Sequence, residues 1–222
     1  MLYNFKKTKK RRIYKVKEDL DERREYKYID TIRDGVVGDF TVGGRWEMYM
    51  PSLNLCSRGT GTTNRIGDTI RATKLEVRMH LEMPDKSSTT GGDSTCGDLI
   101  RILIYQDKQV NGTAPINTDV ILTQSILTQS NAFNEGRFNF LYDKVVEVHQ
   151  TAGTRNPVGC IWGHRYKHID PICIDLEELR IEYKSNFGTL ADLAQNNIGI
   201  MCCVQFTGNL SIDINSRVWF YD

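Results

Sequence analysis

Leu75-Glu-Val-Arg-Met-His-Leu-Glu-Met83 alternates without a break: Leu75, Val77, Met79, Leu81 and Met83 share one side, Glu76, Arg78, His80 and Glu82 the other. A period of two is that of a half-buried β-strand, whose successive side chains point to opposite faces of a sheet. The same alternation recurs at Leu179, Ile181 and Tyr183 against Arg180, Glu182 and Lys184. It returns at Ile198, Ile200, Cys202, Val204 and Phe206 against Gly199, Met201, Cys203, Gln205 and Thr207. Ile100–Tyr105 and Val145–Val148 are shorter β-rich runs. Leu210, Ile212 and Ile214, followed by Val218-Trp-Phe-Tyr221, carry a last strand almost to residue 222.

Eight strands can be counted, at about 38–50, 68–83, 99–107, 137–149, 164–175, 179–185, 197–207 and 209–221. Pro51, Pro84, Pro115, Pro157 and Pro171 fall at or near the ends of these runs or between them, where a missing amide donor does little harm. Loops at about 52–66, 85–97 and 150–163 are rich in Gly, Ser, Thr and Asn and are expected on the exterior. Only Thr118 to Gln129 reads as a short helix, with Asp119 near its start. All-β chains of this length commonly form one domain. The pattern predicts an all-β, eight-stranded single jelly roll of two packed antiparallel sheets.

Charge divides the chain differently. The first 17 residues hold eight basic residues (Lys6, Lys7, Lys9, Lys10, Arg11, Arg12, Lys15 and Lys17) and no acidic one. The whole chain has 29 Lys+Arg against 28 Asp+Glu, so the remainder carries a formal charge of −7. A short cationic thread buries too little apolar surface to offset its ordering entropy, and is expected to be disordered on its own. Its natural partner is a polyanion, because each cation that neutralises a phosphate releases condensed counterions. The eight cations are therefore the candidate nucleic-acid-binding residues, and Lys6 to Arg12 the candidate nuclear-import signal. Tyr3, Phe5 and Tyr14 interleave with them and either stack on unpaired bases or pack against the body. Glu18-Asp-Leu-Asp-Glu-Arg-Arg-Glu25 mixes signs and reads as a turn or two of helix. The expected division is an arm and connector at 1–35 and a body at 36–222.

Catalytic chemistry finds little support. Arg58-Gly-Thr-Gly-Thr-Thr-Asn64 is glycine-rich but lacks the Gly-Lys-Ser/Thr ending of a phosphate loop and precedes a strand. No Gly-x-Ser-x-Gly elbow is present. Cys160, His164 and His168 have metal-ligand character, yet four residues along a strand span about 13 Å, too far for one ion unless the chain turns near Gly163. Asp98, Asp107, Asp119 and Asp143 lie near strand ends or loops, where calcium between subunits and ordinary turn chemistry both use carboxylates. No cofactor and no enzyme activity are expected. The six cysteines form no Cys-x-x-Cys pair and read mostly as small buried hydrophobes of a reducing compartment. The Asn111-Gly-Thr and Asn209-Leu-Ser sequons read as accidental, since the charged N-terminus argues against secretion. No apolar stretch is long enough to cross a bilayer.

Three blocks resemble a known family. Arg65-Ile-Gly-Asp-Thr-Ile-Arg-Ala-Thr-Lys-Leu-Glu-Val-Arg78, Ile100-Arg-Ile-Leu-Ile-Tyr-Gln-Asp-Lys-Gln-Val-Asn-Gly-Thr-Ala-Pro115 and Arg137-Phe-Asn-Phe-Leu-Tyr-Asp-Lys144 are similar to capsid proteins of circovirus-like small circular single-stranded DNA viruses. The blocks occur in that order behind the basic arm and cover most of residues 65–145; the last third matches only in its strand pattern. The resemblance implies a jelly roll that self-assembles into an icosahedral T=1 shell of 60 copies. It also implies an inward arm that packages the genome, and a nuclear-import role for that arm. Relatives often have longer, more arginine-rich arms, whereas this one is short, lysine-rich and followed at once by acidic residues. Sixty arms of eight charges neutralise about 500 phosphates. A genome of a couple of thousand nucleotides therefore needs further inner-wall cations, for which Arg33, Arg45 and Arg71 are candidates, or counterions.

The reading is a homo-oligomeric coat protein of the virion that passes through the host nucleus. Viral single-stranded nucleic acid, host import machinery and a host-cell receptor are its expected partners, without membrane insertion. The alternatives are a satellite-type RNA virus coat protein, a non-viral β-sandwich that binds nucleic acid through its tail, and a jelly-roll metalloenzyme at Cys160, His164 and His168.

Overall fold

In the computed structural model, which describes residues 25–40, 46–83, 98–123, 125–148, 165–204 and 208–222, Leu75–Met83 lies in the third of nine strands. The strands are β1 (Lys27–Phe40), β2 (Trp46–Met50), β3 (Thr69–Met83), β4 (Asp98–Asp107), β5 (Phe138–Val148), β6 (Arg165–Tyr183), β7 (Leu193–Gln195), β8 (Asn197–Val204) and β9 (Gly208–Tyr221). They form two antiparallel sheets, β1-β9-β3-β6-β7 and β2-β8-β4-β5. Setting aside the three-residue β7, the pairs are nested: β1 with β9, β2 with β8, β3 with β6 and β4 with β5. The chain is thus one long antiparallel ribbon wrapped so that β9 also meets β3 and β8 also meets β4. This is the jelly roll.

The alternation decides what lies between the sheets. Leu75, Val77, Met79 and Leu81 are buried there, facing Ile100, Ile102 and Ile104 of β4 and Ile198, Ile200 and Cys202 of β8. The strand β4 is apolar on both faces because its outer face is also covered. Leu103 and Tyr105 join Met201 and Cys203 of β8 in a second cluster with Val120, Ile121, Ile126 and Phe138. Cys202 and Cys203 accordingly enter different cores, as strand geometry requires. Tyr105 lies directly across from Gly199, and a Cβ there would sit 2.4 Å from the Tyr105 hydroxyl oxygen.

Four expectations need correction. The expected strand at 38–50 is two strands, and the body begins at Lys27, inside the stretch assigned to the connector. An edge strand buries only one side, so the charge-rich Lys27–Asp34 run hid it; Ile29 is buried while Asp30 faces solvent. The two strands expected at 164–175 and 179–185 are one, interrupted by a bulge. Between the pairs Lys74–Asp175 and Ala72–Leu179, three residues of β6 oppose one of β3. Glu177 and Glu178 there are left-handed (φ 51° and 61°), and the Glu177 amide donates to the Asp175 carboxylate at 2.9 Å. The helix shrinks to α1 (Asn117–Val120), where Asp119 accepts from the Ile116 amide at 3.1 Å.

The fourth correction concerns loop 52–66, which is not exterior throughout: Leu53, Asn54, Cys56 and Arg65 are buried. The Arg65 guanidinium donates to the carbonyls of Cys56, Gly67 and Ser185 and to the Asp68 carboxylate, and lies 4.3 Å over the Tyr183 ring. Tyr183 in turn donates to the Asn54 carbonyl at 2.7 Å, and the Asn54 side chain accepts the Ile198 amide at 3.0 Å. A buried charge is tolerated here because four of its five N–H donors find acceptors. The loop is part of the core, tied to the end of β6 and the start of β8. Most of 18–25 and the loops 85–97 and 150–163 lie outside the described residues.

Candidate functional site

The outer faces of the two sheets differ. Over β2-β8-β4-β5, the β4–β5 connection folds back and buries the second cluster. Arg101 fastens it: its guanidinium donates to the Asp143 carboxylate at 2.6 and 2.5 Å and to the carbonyls of Ile126 and Thr128 at 2.9 and 2.6 Å. Arg137 grips the fully buried Asp107 carboxylate in the same two-pronged way, at 2.8 and 2.7 Å. Donating to these carboxylates holds both guanidinium groups above their ordinary pKa. The connection leaves an apolar ridge in solvent, with Phe133 94% and Leu127 82% exposed, beside Ile116 and Leu122.

Among the described residues, both sheets end in open ladders at one side of the sandwich. β5 closes its sheet, and β6 has β7 as neighbour only at Glu182 and Tyr183. Between these edges runs a groove of about 850 Å³, whose walls include Tyr142, Val146, Ile169 and Ile172. Unpaired edges and exposed apolar ridges are surfaces that soluble monomers normally keep small.

The outer face of β1-β9-β3 has no such cover among the described residues. At its β1 end, Tyr28 and Trp219 are cross-strand partners with ring centroids 5.8 Å apart, both half-buried. The Arg217 guanidinium lies 4.3 Å over Tyr28 and 5.3 Å from Trp219. Asp30 clamps it from the next pair along, accepting from Nε and Nη2 at 2.6 and 2.7 Å. That hydrogen bond holds the Asp30 carboxyl below its ordinary value and Arg217 above. Beyond lies a shallow depression walled by Glu76, Arg78, Asn215 and Arg217. Lys74 pairs with Glu76 at 2.5 Å, and Arg71 is exposed.

Lys6, Lys7, Lys9, Lys10, Arg11, Arg12, Lys15 and Lys17 lie outside the described residues, as do Tyr3, Phe5, Tyr14, Arg45, Cys160 and His164. His168 is exposed on β6, opposite His80 of β3 with ring centroids 6.5 Å apart. Among the described residues no group of three His, Cys, Asp or Glu is placed to hold a metal ion. Of the carboxylates considered for calcium, Asp107 and Asp143 are taken up by arginines and Asp119 by a backbone amide, while the Asp98 side chain lies outside the described residues. Burial pushes the Cys56 thiol up to about 11 and the Cys203 thiol up to about 12, which keeps both neutral. No helix among the described residues is long and apolar enough to cross a membrane. Sequence reasoning missed Tyr28, Asp30, Arg217 and Trp219 as a group. Alternation puts Trp219 opposite Val218 and Phe220, but only the strand register brings Tyr28 to it.

No family model and no curated protein matches the chain. Among solved structures, the 60-mer BFDV capsid protein is similar over 89% of this chain and 93% of that one, at 8% identity and TM-score 0.31. The T13 IBDV viral particle matches over 89% of this chain and 40% of its own, at 9% identity and TM-score 0.18. Merkel cell polyomavirus VP1 matches over 87% and 76%, at 10% identity and TM-score 0.19. These likenesses are distant, and the fold assignment rests on the nested strand order.

Proposed function

We propose that this chain is a viral coat subunit that assembles into a small closed icosahedral shell, of 60 copies, around single-stranded DNA. The observation that carries the reading is a jelly roll whose first strand, at a sheet edge, follows directly on a segment with eight cations and no acid in its first 17 residues. The open β5 and β6 edges, their groove and the Leu127–Phe133 ridge supply surfaces for neighbouring subunits. Closed symmetry multiplies such contacts, each weak alone. The arm holds the nucleic-acid backbone with little sequence preference, and its Lys6–Arg12 cluster serves nuclear import. The similarity of the 65–78, 100–115 and 137–144 blocks to circovirus-like capsid proteins supports the same reading.

Size-exclusion chromatography and electron microscopy of the purified chain test it. Megadalton closed particles with a raised 260/280 nm absorbance ratio are expected. A 25.5 kDa subunit that stays monomeric under every assembly condition would overturn it. Particles of the chain without residues 1–17 should lose most of their nucleic acid; undiminished content would remove the arm's assigned role.

A further inference from the structure

Resting on that reading, we propose that the outer face of β1-β9-β3, uncovered among the described residues, is a second nucleic-acid surface, on which an unpaired base stacks against Trp219 beside the Tyr28 ring that Arg217 covers. Arg78 and Arg217 lie beside that base to meet the phosphates.

Three observations converge on this face. The opposite sheet spends its own β4–β5 connection covering the corresponding surface, while this one keeps a tryptophan and a tyrosine half-exposed side by side. Stacking on such rings needs no sequence preference, since every base has a π-face. Arg217 is already fixed in place by Asp30, so its planar cation loses little freedom on meeting a phosphate or a base. Finally, the arm is rooted here. Tyr28 is the second residue of β1 and stands eleven residues from Lys17, so that cation lies within about 40 Å of the ring pair however the chain runs.

The charges explain why the face works with the arm and not alone. Arg71, Lys74, Arg78 and Arg217 meet Asp30, Glu76 and Asp213, and two of these carboxylates are already in ion pairs. Glu82 alternates onto the same side of β3, so cations and carboxylates balance on this face. Across on β6, Asp175 and Arg180 are both exposed, opposite Lys74 and Arg71. The arm supplies the long-range attraction; the aromatic pair discriminates single strands, whose base faces are open, from duplex.

The test uses the full chain. A thymidine 20-mer carrying 5-iododeoxyuridine is photo-cross-linked to the protein and the adducts are mapped by mass spectrometry. Adducts at Trp219 or Tyr28, in addition to the arm, are expected. Trp219→Leu should weaken binding of the 20-mer roughly tenfold while leaving duplex binding unchanged. Tyr28→Leu, at the sheet edge, gives the same readout should Trp219→Leu fail to fold. Adducts confined to residues 1–17, with both variants binding as wild type, would overturn the inference and leave the arm's role standing. No binding to either strand would sink both. Protection of Trp219 in empty shells, without adducts there, would assign the face to a second copy of the chain instead.

Discussion

Replacing Gly199 by alanine should destabilise the subunit, against the usual gain from filling a glycine in a strand. An added Cβ would sit 2.4 Å from the hydroxyl oxygen and 2.5 Å from Cζ of Tyr105, where ordinary contact begins at 3.4 Å. The ring must therefore move by about 1 Å. It has nowhere to go: Tyr105 is fully buried and packs edge-on against Phe138 at 5.9 Å. Overpacking of this size costs about 1–3 kcal/mol, and relief of glycine's backbone entropy returns roughly 0.5–1 kcal/mol. The midpoints of these ranges leave a net loss of about 1 kcal/mol, or roughly 2–4 °C in Tm for a chain of this length. Urea unfolding of the purified chain, followed by fluorescence, measures it. In a Tyr105→Leu background the obstructing ring atoms are gone, so Gly199→Ala should become neutral or stabilising. A wild-type background that tolerates the alanine, or an equal cost in both backgrounds, would refute the argument.

Three further outcomes are expected. Arg65→Met leaves the carbonyls of Cys56, Gly67 and Ser185 without their donor in the core, at about 1 kcal/mol or more each, so the urea midpoint should fall by the equivalent of about 3 kcal/mol. Asp192 is held below its ordinary 3.8 by hydrogen bonds from the Ser185 hydroxyl and from the Thr189 amide and hydroxyl. A depressed carboxyl contributes stability above its unfolded pKa and loses it as pH falls through the folded one. Asp192→Asn should thus be less stable than wild type at pH 7, with the gap closing below about pH 4 in a pH series of urea midpoints. Replacing Lys6, Lys7, Lys9 and Lys10 by glutamine should flatten the slope of log K against log salt for a single-stranded oligonucleotide by about 3, at roughly 0.7 per lost phosphate contact; an unchanged slope would mean that these lysines do not touch the backbone.

The fold was largely legible because one residue in two reports burial. Leu75–Met83 and Ile198–Val204 needed no partner to be read as strands. What resisted reading depends on partners far away in sequence. Lys27–Asp34 looks like a linker until β9 lies beside it, when Lys27 is buried against Asp222 and Ile29 enters the core. The break at Leu176–Glu178 reads as a gap between strands, and only the register with Thr73 makes it a bulge. Loop 52–66 has the composition of a surface turn, yet Arg65 finds three carbonyls that local sequence cannot announce. The aromatic pair on the bare face joins residues 28 and 219, and no single window contains both. The arm's eight cations, by contrast, stand in a single window of 17 residues, and the role proposed for them is what the salt series tests.

Because the first and last strands of the ribbon run side by side, the body's two ends meet: Lys27 donates to the Asp222 side chain at 2.6 Å, and Asp222 also accepts the Ile66 amide. Anything fused after Asp222 therefore starts next door to the root of the arm. In the shells proposed above, a protease-cleavable tag placed there becomes a compass. Resistant to cleavage, it would mark the leader's exit as facing the lumen; readily clipped, it would mark that exit as facing outward.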